Sequence, residues 1–594
     1  MSSGLNTEQL RQKYLEERDK RLSVKRDYID PVGSFPDFDR DPWIADKIER
    51  EPLTEDVDVL MTGAGLSALV SAAALHDAGI ANIRMIDVAG DFGGVWYWNR
   101  YPGVRCDIES YVYLPLLEEV GTIPTEKYST GKEIFEHAQA IGRHYNFYDK
   151  ALFQTKITEA RWDEATSRWH VSTDRGDLIR SRFLIGTSGY LHYPKFPNIP
   201  GIRDFKGKLF HPCRWDAKYT GGDSNGNLSG LKDQRVALIG TGATGIQIMP
   251  HLAKSAKQAY LFQRTPAAVD ARNNRPTDTH WFKNQKQGWH AERMDNFHAV
   301  ITGMPADVDL VDDCWTHAAG PLFKNAQVID PENELAASEA MQLRDYQTMQ
   351  GIRDRVDRVV TDPATAEKLK AWYNLYCKRP LYADDYLESF NSPNVRLIDT
   401  DGRGVERITE TGLVANGEHF EVDCIIVASG FQIGAYEPAT ATFPIIGRDG
   451  QVLAEKWANG VYSVHGLWAS GFPNFQVVGT ILQAGVSFNY MWLAKEHALH
   501  AAAMISRALT EGMASIEVTK DAEDRWNDEM NRKAQDGTKF AEDCTPGYFN
   551  NEGDTSKPVL FANTYGGGAR EYFGILQAWR DGGFTADTVI TYQK

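Results

Sequence analysis

Two glycine-rich stretches of the chain have the spacing that lets a backbone close around a pyrophosphate: Gly63-Ala64-Gly65, and Gly240-Thr241-Gly242-Ala243-Thr244-Gly245. In such loops the first glycine permits a tight strand-to-helix turn. The second lets the backbone approach the phosphates, over the N–H groups of the helix that follows. The last fingerprint position is Ala68 in the first loop, a methyl that helix-on-strand packing admits, and Gly245 in the second. The residues that end the two units differ in sign. Asp87 follows Gly63 by 24 positions, where a carboxylate accepts hydrogen bonds from ribose hydroxyls. Arg264 follows Gly240 by the same 24, with Thr265 beside it. A guanidinium there makes charge-assisted bonds to a 2′-phosphate that a carboxylate would repel. The two endings imply a flavoprotein with FAD on the Asp87 unit and NADPH on the Arg264 unit.

Each loop needs a strand before it and a helix after it. Residues 57–61 are an apolar run of β-formers, 66–78 an Ala-rich helical stretch, and 83–86 a second strand ending on Asp87. Strands at 235–239 and 259–263 frame the second loop in the same way. The fold class that follows is α/β, with two doubly wound Rossmann-like dinucleotide-binding domains and a helical insertion at about 277–370. Within the insertion, Ile352, Val356, Val359 and Val360 share a face at helical spacing, and Asp362-Pro363 has the form of a cap and first turn. Residues 1–50 read as an appended, solvated packing arm, with a charged helix from Thr7 to Leu22 before a Pro- and Asp-rich stretch. The expected division is 1–50 for this extension, 51–190 for the first part of the FAD domain and 191–386 for the NADPH domain. Residues 387–594 complete the FAD domain and supply a C-terminal substrate and nicotinamide loop.

Composition narrows the function classes. Of the 594 residues, 42% are hydrophobic and 24% charged, the balance of an ordinary globular protein too long for one core. The formal net charge of −17 opposes a nucleic-acid surface. The small-apolar stretch Ser67 to Ala81 is broken by His76 and Asp77, so no membrane span is expected, and the charged run Met1 to Arg21 has no signal-peptide core. The six cysteines (Cys106, Cys213, Cys314, Cys377, Cys424, Cys544) form no CxxC pair. They are expected to be free structural thiols in a reducing cytoplasm, with neither a metal site nor a disulfide.

Longer motifs carry a resemblance. The run Gly93-Gly94-Val95-Trp96-Tyr97-Trp98-Asn99-Arg100-Tyr101-Pro102-Gly103-Val104-Arg105-Cys106-Asp107 resembles the first long fingerprint of type I Baeyer–Villiger monooxygenases. Phe205, Gly207, His211, Trp215 and Asp216 match the second, FxGxxxHxxxW, and Trp215 separates the chain from N- and S-oxidising flavin monooxygenases, where Tyr or Phe is usual. The resemblance spans roughly residues 55–580. It implies FAD contacts from Gly94, Val95, Trp96, Tyr97, Trp98, Arg105, Cys106, Asp107 and Tyr113, with Trp96, Tyr97, Trp98 and Tyr101 stacked near the flavin ring. Gly186-Thr187-Ser188-Gly189 and Ala428-Ser429-Gly430 look like the segments that link the domains. Within Cys377-Lys378-Arg379-Pro380, the resemblance implies Lys378 as a second 2′-phosphate cation and Arg379 as the catalytic arginine, paired with Asp107. His211 is expected to transmit motion near the linkage rather than act as acid or base. In Cys544-Thr545-Pro546-Gly547-Tyr548, Gly547 stands where many relatives have Trp, which implies a more open pocket suited to bulky or macrocyclic ketones.

The implied reaction takes a ketone and O₂ to an ester or lactone through a C4a-peroxyflavin and a tetrahedral adduct. A permanently charged Arg suits that anion better than a titratable Lys. Two other readings remain open here: an N- or S-oxygenase using the protonated hydroperoxide, and a non-catalytic flavin-binding redox sensor. No protein partner is evident.

Overall fold

The computed structural model describes residues 6–24, 27–38, 40–189, 191–323, 334–433, 443–481, 489–534, 537–554, 556, 564–585 and 587–593. Two sheets organise the chain. At the centre of the eight-stranded first sheet, Thr54–Met61 pairs in parallel with Ile83–Ile86 on one side and Leu178–Gly186 on the other. The antiparallel strands Ile157–Asp163 and Arg168–Thr173 extend it, and Phe475–Val477 returns from far along the chain to join Leu178–Gly186. The second sheet has five parallel strands in the order Val395–Asp399, Gln258–Gln263, Arg235–Ile239, Cys424–Val427, Lys208–Phe210. Parallel strands are covered on both faces, so they need continuous apolar sequence. Cys424–Val427 is accordingly buried at every position. Both glycine loops stand at the carboxyl ends of their strands, the usual ligand side of a doubly wound sheet.

Three expectations need correction. The boundary at 386/387 falls too early, because Val395–Asp399 and Cys424–Val427 belong to the second sheet and the chain leaves it only after Val427. Local patterning marks these strands but cannot say which sheet takes them. The N-terminal extension is a packing arm with an exposed outer face, but it is tied into the fold more closely than expected. Its helix Thr7–Leu22 has the expected bounds, yet Tyr14 and Arg21 are buried in it, and the Tyr14 hydroxyl accepts a hydrogen bond from Arg353 at 3.0 Å. Farther on, Tyr28–Ile29 pairs with Phe196–Pro197, and Phe38 joins the apolar core of the second sheet. The third correction concerns the thiols. Cys377 and Cys544, 167 positions apart, form a disulfide, while Cys106, Cys213, Cys314 and Cys424 are free and buried.

The bridge follows from how the insertion packs. Its helices Trp289–Ile301, Cys314–Phe323, Glu334–Val359 and Pro363–Leu369 lie between the two glycine loops in sequence and the C-terminal segment. Asp362 caps the last of them through Thr365 N at 3.0 Å, and Ile352, Val356 and Val360 are buried while Val359 is half-buried. Residues 324–333 of the insertion lie outside the described residues. Met349, Ile352, Tyr373 and Leu375 form a small apolar cluster that gathers Cys377 and Cys544. Among the described residues, no helix is long and apolar enough to cross a membrane.

Thiol titration of the denatured protein should therefore find four reactive cysteines before reduction and six after it. Six before reduction would show that the bridge does not form.

Candidate active site

A cavity of about 2380 Å³ lies between the glycine loops and is lined from both sheets, the extension and the C-terminal turn. The first loop is built for backbone contact. Gly65 and Gly94 pack so closely that a Cβ on Gly94 (φ +56°) would lie 2.9 Å from the Gly65 Cα. The helix Leu66–Asp77 begins at Gly65 with no side chain capping its N–H groups, and Ala68 is fully buried in it. Asp87 accepts from Ala64 N at 2.7 Å and Ala89 N at 2.9 Å, and burial raises its pKa. Uncapped N–H groups, a loop without side chains and a carboxylate at the strand end fit a dinucleotide.

The second loop has the same logic. A Cβ on Gly245 would lie 2.2 Å from the Gly240 carbonyl oxygen, so no side chain is possible there. Gly242 opens the helix Ala243–Ser255, again without a side-chain cap. Thr241 donates to the Thr265 carbonyl at 2.7 Å, and Ala243 and Thr244 line the cavity. Arg264 lies beside Tyr28, and burial pulls its pKa down. The Thr265 hydroxyl accepts from Arg21 Nε at 2.9 Å. These donors fit a phosphate-bearing ligand.

Between the loops, Arg379 Nη2 meets Asp107 Oδ1 at 2.6 Å. Burial works against the Arg379 charge, but Asp107 outweighs it and the pKa rises. Trp315, from the insertion, donates its indole N–H to the Asp107 carbonyl at 2.9 Å, and its ring lies 5.1 Å from the Arg379 guanidinium. Beside them, burial pushes the Cys106 thiol up to about 12, so it stays neutral. Val95 and Trp98 line the cavity, while Trp96 donates to the Tyr113 hydroxyl at 2.9 Å. Arg105 pairs with Glu126 and donates to Tyr128 O at 2.7 Å.

Tyr97 departs from the expectation of a flavin contact. It is buried, does not line the cavity and donates to Asp41 of the extension, because the helical turn Val95–Trp98 points its side chains in different directions. Lys378 faces the cavity with its Nζ donating to Pro546 O at 2.8 Å. A Cβ on Gly547 would lie 3.0 Å from that nitrogen, so any side chain there presses on Lys378.

His211 does not face the cavity. Its neutral ring accepts from Cys213 N at 3.2 Å and donates to Gly430 O at 3.1 Å, and burial lowers its pKa to about 3. The two linkers are zipped beside it: Lys195 N donates to Gly430 O at 2.9 Å, and Gln432 N to Tyr193 O at 2.8 Å. Sequence reasoning missed Trp315, Lys195, Glu552 and Gln247. Gln247 accepts from Tyr101 at 2.9 Å and donates to Arg105 O at 2.9 Å, joining the second unit's helix to the first fingerprint. It lies two positions after Gly245, a placement that could have suggested a cavity-facing side chain.

Fold and site together define a two-dinucleotide flavoprotein oxygenase. Residues 57–279 match the flavin-binding monooxygenase-like family. The chain is 49% identical to pentalenolactone D synthase from Streptomyces arenae, over 98% of this chain and 99% of that one. It is 43% identical to Baeyer–Villiger monooxygenase 4 from Dietzia sp., over 97% of this chain and 94% of that one. The solved polycyclic ketone monooxygenase of Thermothelomyces thermophila superposes with a TM-score of 0.88 at 34% identity, covering 98% of this chain and 99% of that one. The chain belongs to the Baeyer–Villiger monooxygenases. It is an FAD- and NADPH-dependent enzyme that uses O₂ to turn a ketone into an ester or lactone, which closes the N- or S-oxygenase and redox-sensor readings.

A charged hydrogen bond contributes about 1.5–3 kcal/mol. Arg264→Ala should then raise the NADPH KM about tenfold or more and leave that for NADH nearly unchanged. Steady-state kinetics with both coenzymes checks this, and equal losses would make Arg264 structural.

Proposed function

We propose that this enzyme converts bulky cyclic ketones into lactones, with Arg379 as the catalytic cation and Asp107 as the residue that positions it. The observation that carries the reading is the Arg379–Asp107 pair facing the one cavity that both glycine loops line. When bound, NADPH supplies hydride and FAD supplies activated oxygen; that chemistry is the cofactors' own. The protein's part is to hold and to stabilise. Gly63, Gly65, Ala68, Asp87 and Gly94 seat the FAD, and Gly240 to Gly245, Arg264, Thr265 and Lys378 seat the NADPH. Arg379 stabilises the negative charge that develops on the ketone oxygen, as a fixed donor already oriented before the reaction. Asp107 keeps that guanidinium charged and aimed.

Two features support a bulky substrate. Gly547 puts no side chain on the cavity wall, and the structural relative named above is a polycyclic ketone monooxygenase. A cytoplasmic location, with its supply of NADPH, suits this reading, and Cys377 and Cys544 are both buried.

Conversion should therefore rise across a chromatographic series from acetone to fused-ring and large-ring ketones. Best turnover on acetone, with none above seven-membered rings, would reverse the substrate assignment.

Arg379→Ala should abolish lactone formation while NADPH still reduces the flavin. Loss of one preorganised oxyanion donor costs about 10²–10³ in rate, and loss of a full charge should cost at least that. Oxygen consumption should continue, with hydrogen peroxide as the product, and Lys at this position should rescue only in part. Normal lactone yield from the Ala variant would remove Arg379 from the chemistry.

A further inference from the structure

The Arg264 unit holds a cation that lies outside its glycine fingerprint. Lys195, on the first inter-domain linker, puts its Nζ 2.9 Å from Glu552 Oε1, and Arg264 Nη2 lies 3.5 Å from Glu552 Oε2. Two cations from distant segments thus converge on the two oxygens of one carboxylate. Tyr28 joins them: Lys195 Nζ is 4.1 Å from its ring centre, and Tyr28 and Arg264 line the same stretch of cavity. All four side chains line the cavity. A guanidinium and an ammonium that grip both oxygens of a carboxylate also suit a phosphate dianion, which offers more charge and one more oxygen.

Glu552 sits in a turn of unusual shape. Asn551 and Glu552 are both left-handed, at φ 49° and 60°. Glu rarely adopts that backbone, so surrounding contacts must hold it. Glu552 N donates to Gly547 O at 2.7 Å, and the same turn carries Tyr548, which lines the cavity together with Arg379. One short segment therefore connects the phosphate seat with the surroundings of the catalytic guanidinium.

We propose that Lys195 is a specificity-determining residue for NADPH, seating the 2′-phosphate together with Arg264, and that Glu552 is the carboxylate this phosphate displaces. The proposal rests on the assignment of the Arg264 unit to NADPH. A dianion replaces a monoanion between the same two cations, so the exchange is electrostatically downhill. NADH brings only a hydroxyl, which leaves Glu552 and its turn in place. Selectivity then has two parts: attraction by Arg264 and Lys195 beside the Lys378 already assigned to the seat, and release of the turn when a phosphate arrives.

Calorimetric titration of the FAD-loaded enzyme with NADP⁺, NAD⁺, 2′-AMP and 5′-AMP tests this without turnover. Lys195→Met should weaken NADP⁺ and 2′-AMP about tenfold and leave NAD⁺ and 5′-AMP within about twofold, while Lys195→Arg retains most of the affinity. Glu552→Gln should tighten NADP⁺ and 2′-AMP by about three- to tenfold and leave the other two unchanged. Hydrogen exchange of residues 546–554, read by mass spectrometry, should rise when 2′-AMP binds the wild type and should already be raised in Glu552→Gln. Equal weakening of NADP⁺ and NAD⁺ by Lys195→Met, unchanged 2′-AMP binding by Glu552→Gln, or exchange that does not rise, overturns the proposal. If Arg264→Ala also leaves NADP⁺ preference intact, the assignment of the whole unit falls with it. A normal Arg264 effect beside silent Lys195 and Glu552 variants overturns this proposal alone.

Discussion

On the proposed mechanism, the chemistry depends on keeping one guanidinium charged and aimed at the wall of the cavity, where it is half-buried. Burial alone would draw Arg379 toward neutrality, and Asp107 at 2.6 Å reverses that. Removing either partner leaves the other charge half-buried and without its charge-assisted hydrogen bond. The neighbouring structure is therefore committed to both. Trp315 serves the two at once, its N–H fixing the Asp107 carbonyl and its ring facing the guanidinium. Delivering that indole gives the helical insertion a place in the site, through its helix Cys314–Phe323.

Asp107 ends the first fingerprint, whereas Arg379 arrives after the insertion. The pair therefore spans a domain junction, and its geometry holds only if the junction does. Two linkers zipped by backbone hydrogen bonds set the junction, and neutral His211 fastens one of them through Gly430 O. A charged His211 would lose the acceptor that takes the Cys213 N–H, so its depressed pKa matches its mechanical place. Gln247 adds a side-chain brace from the second unit's helix to Tyr101 and Arg105.

What the sequence disclosed divides along a physical line. Features fixed by neighbours in sequence were legible: both strand–glycine–helix turns, the sign change from Asp87 to Arg264, the bounds of Thr7–Leu22 and the Asp362 cap. Each depends on local sterics or on a side chain reaching three or four residues. Features fixed by distant packing were not. Nothing near Cys377 announces Cys544, because the insertion brings them together. The capture of Val395–Asp399 and Cys424–Val427 by the second sheet is a pairing choice invisible in either strand. Tyr97 reads like its aromatic neighbours until the turn sets which side it faces. Lys378 and Arg379 came from resemblance, since a lone Lys-Arg pair before Pro carries little meaning of its own.

The coenzyme side poses an electrostatic problem that the extension helps to solve. A chain with a formal charge of −17 must admit a polyanionic dinucleotide. At physiological ionic strength charges are screened beyond about 8 Å, so the far surface matters less than the charges at the mouth of the seat. Those include Arg264, Lys195 and Lys378, with Arg21 buried behind the Arg264–Thr265 strand end, and like charges this close need carboxylates between them. Glu17 takes that place for Arg21 at 2.8 Å, freeing its Nε to brace the Thr265 hydroxyl. Glu552 takes it for Arg264 and Lys195. The difference between the two carboxylates is their anchorage. Glu17 lies within a helix whose backbone hydrogen bonds hold it, whereas Glu552 lies on a left-handed turn that depends on its contacts. The helix-held carboxylate braces the strand end, and on the proposed exchange Glu552 is the one an incoming phosphate displaces.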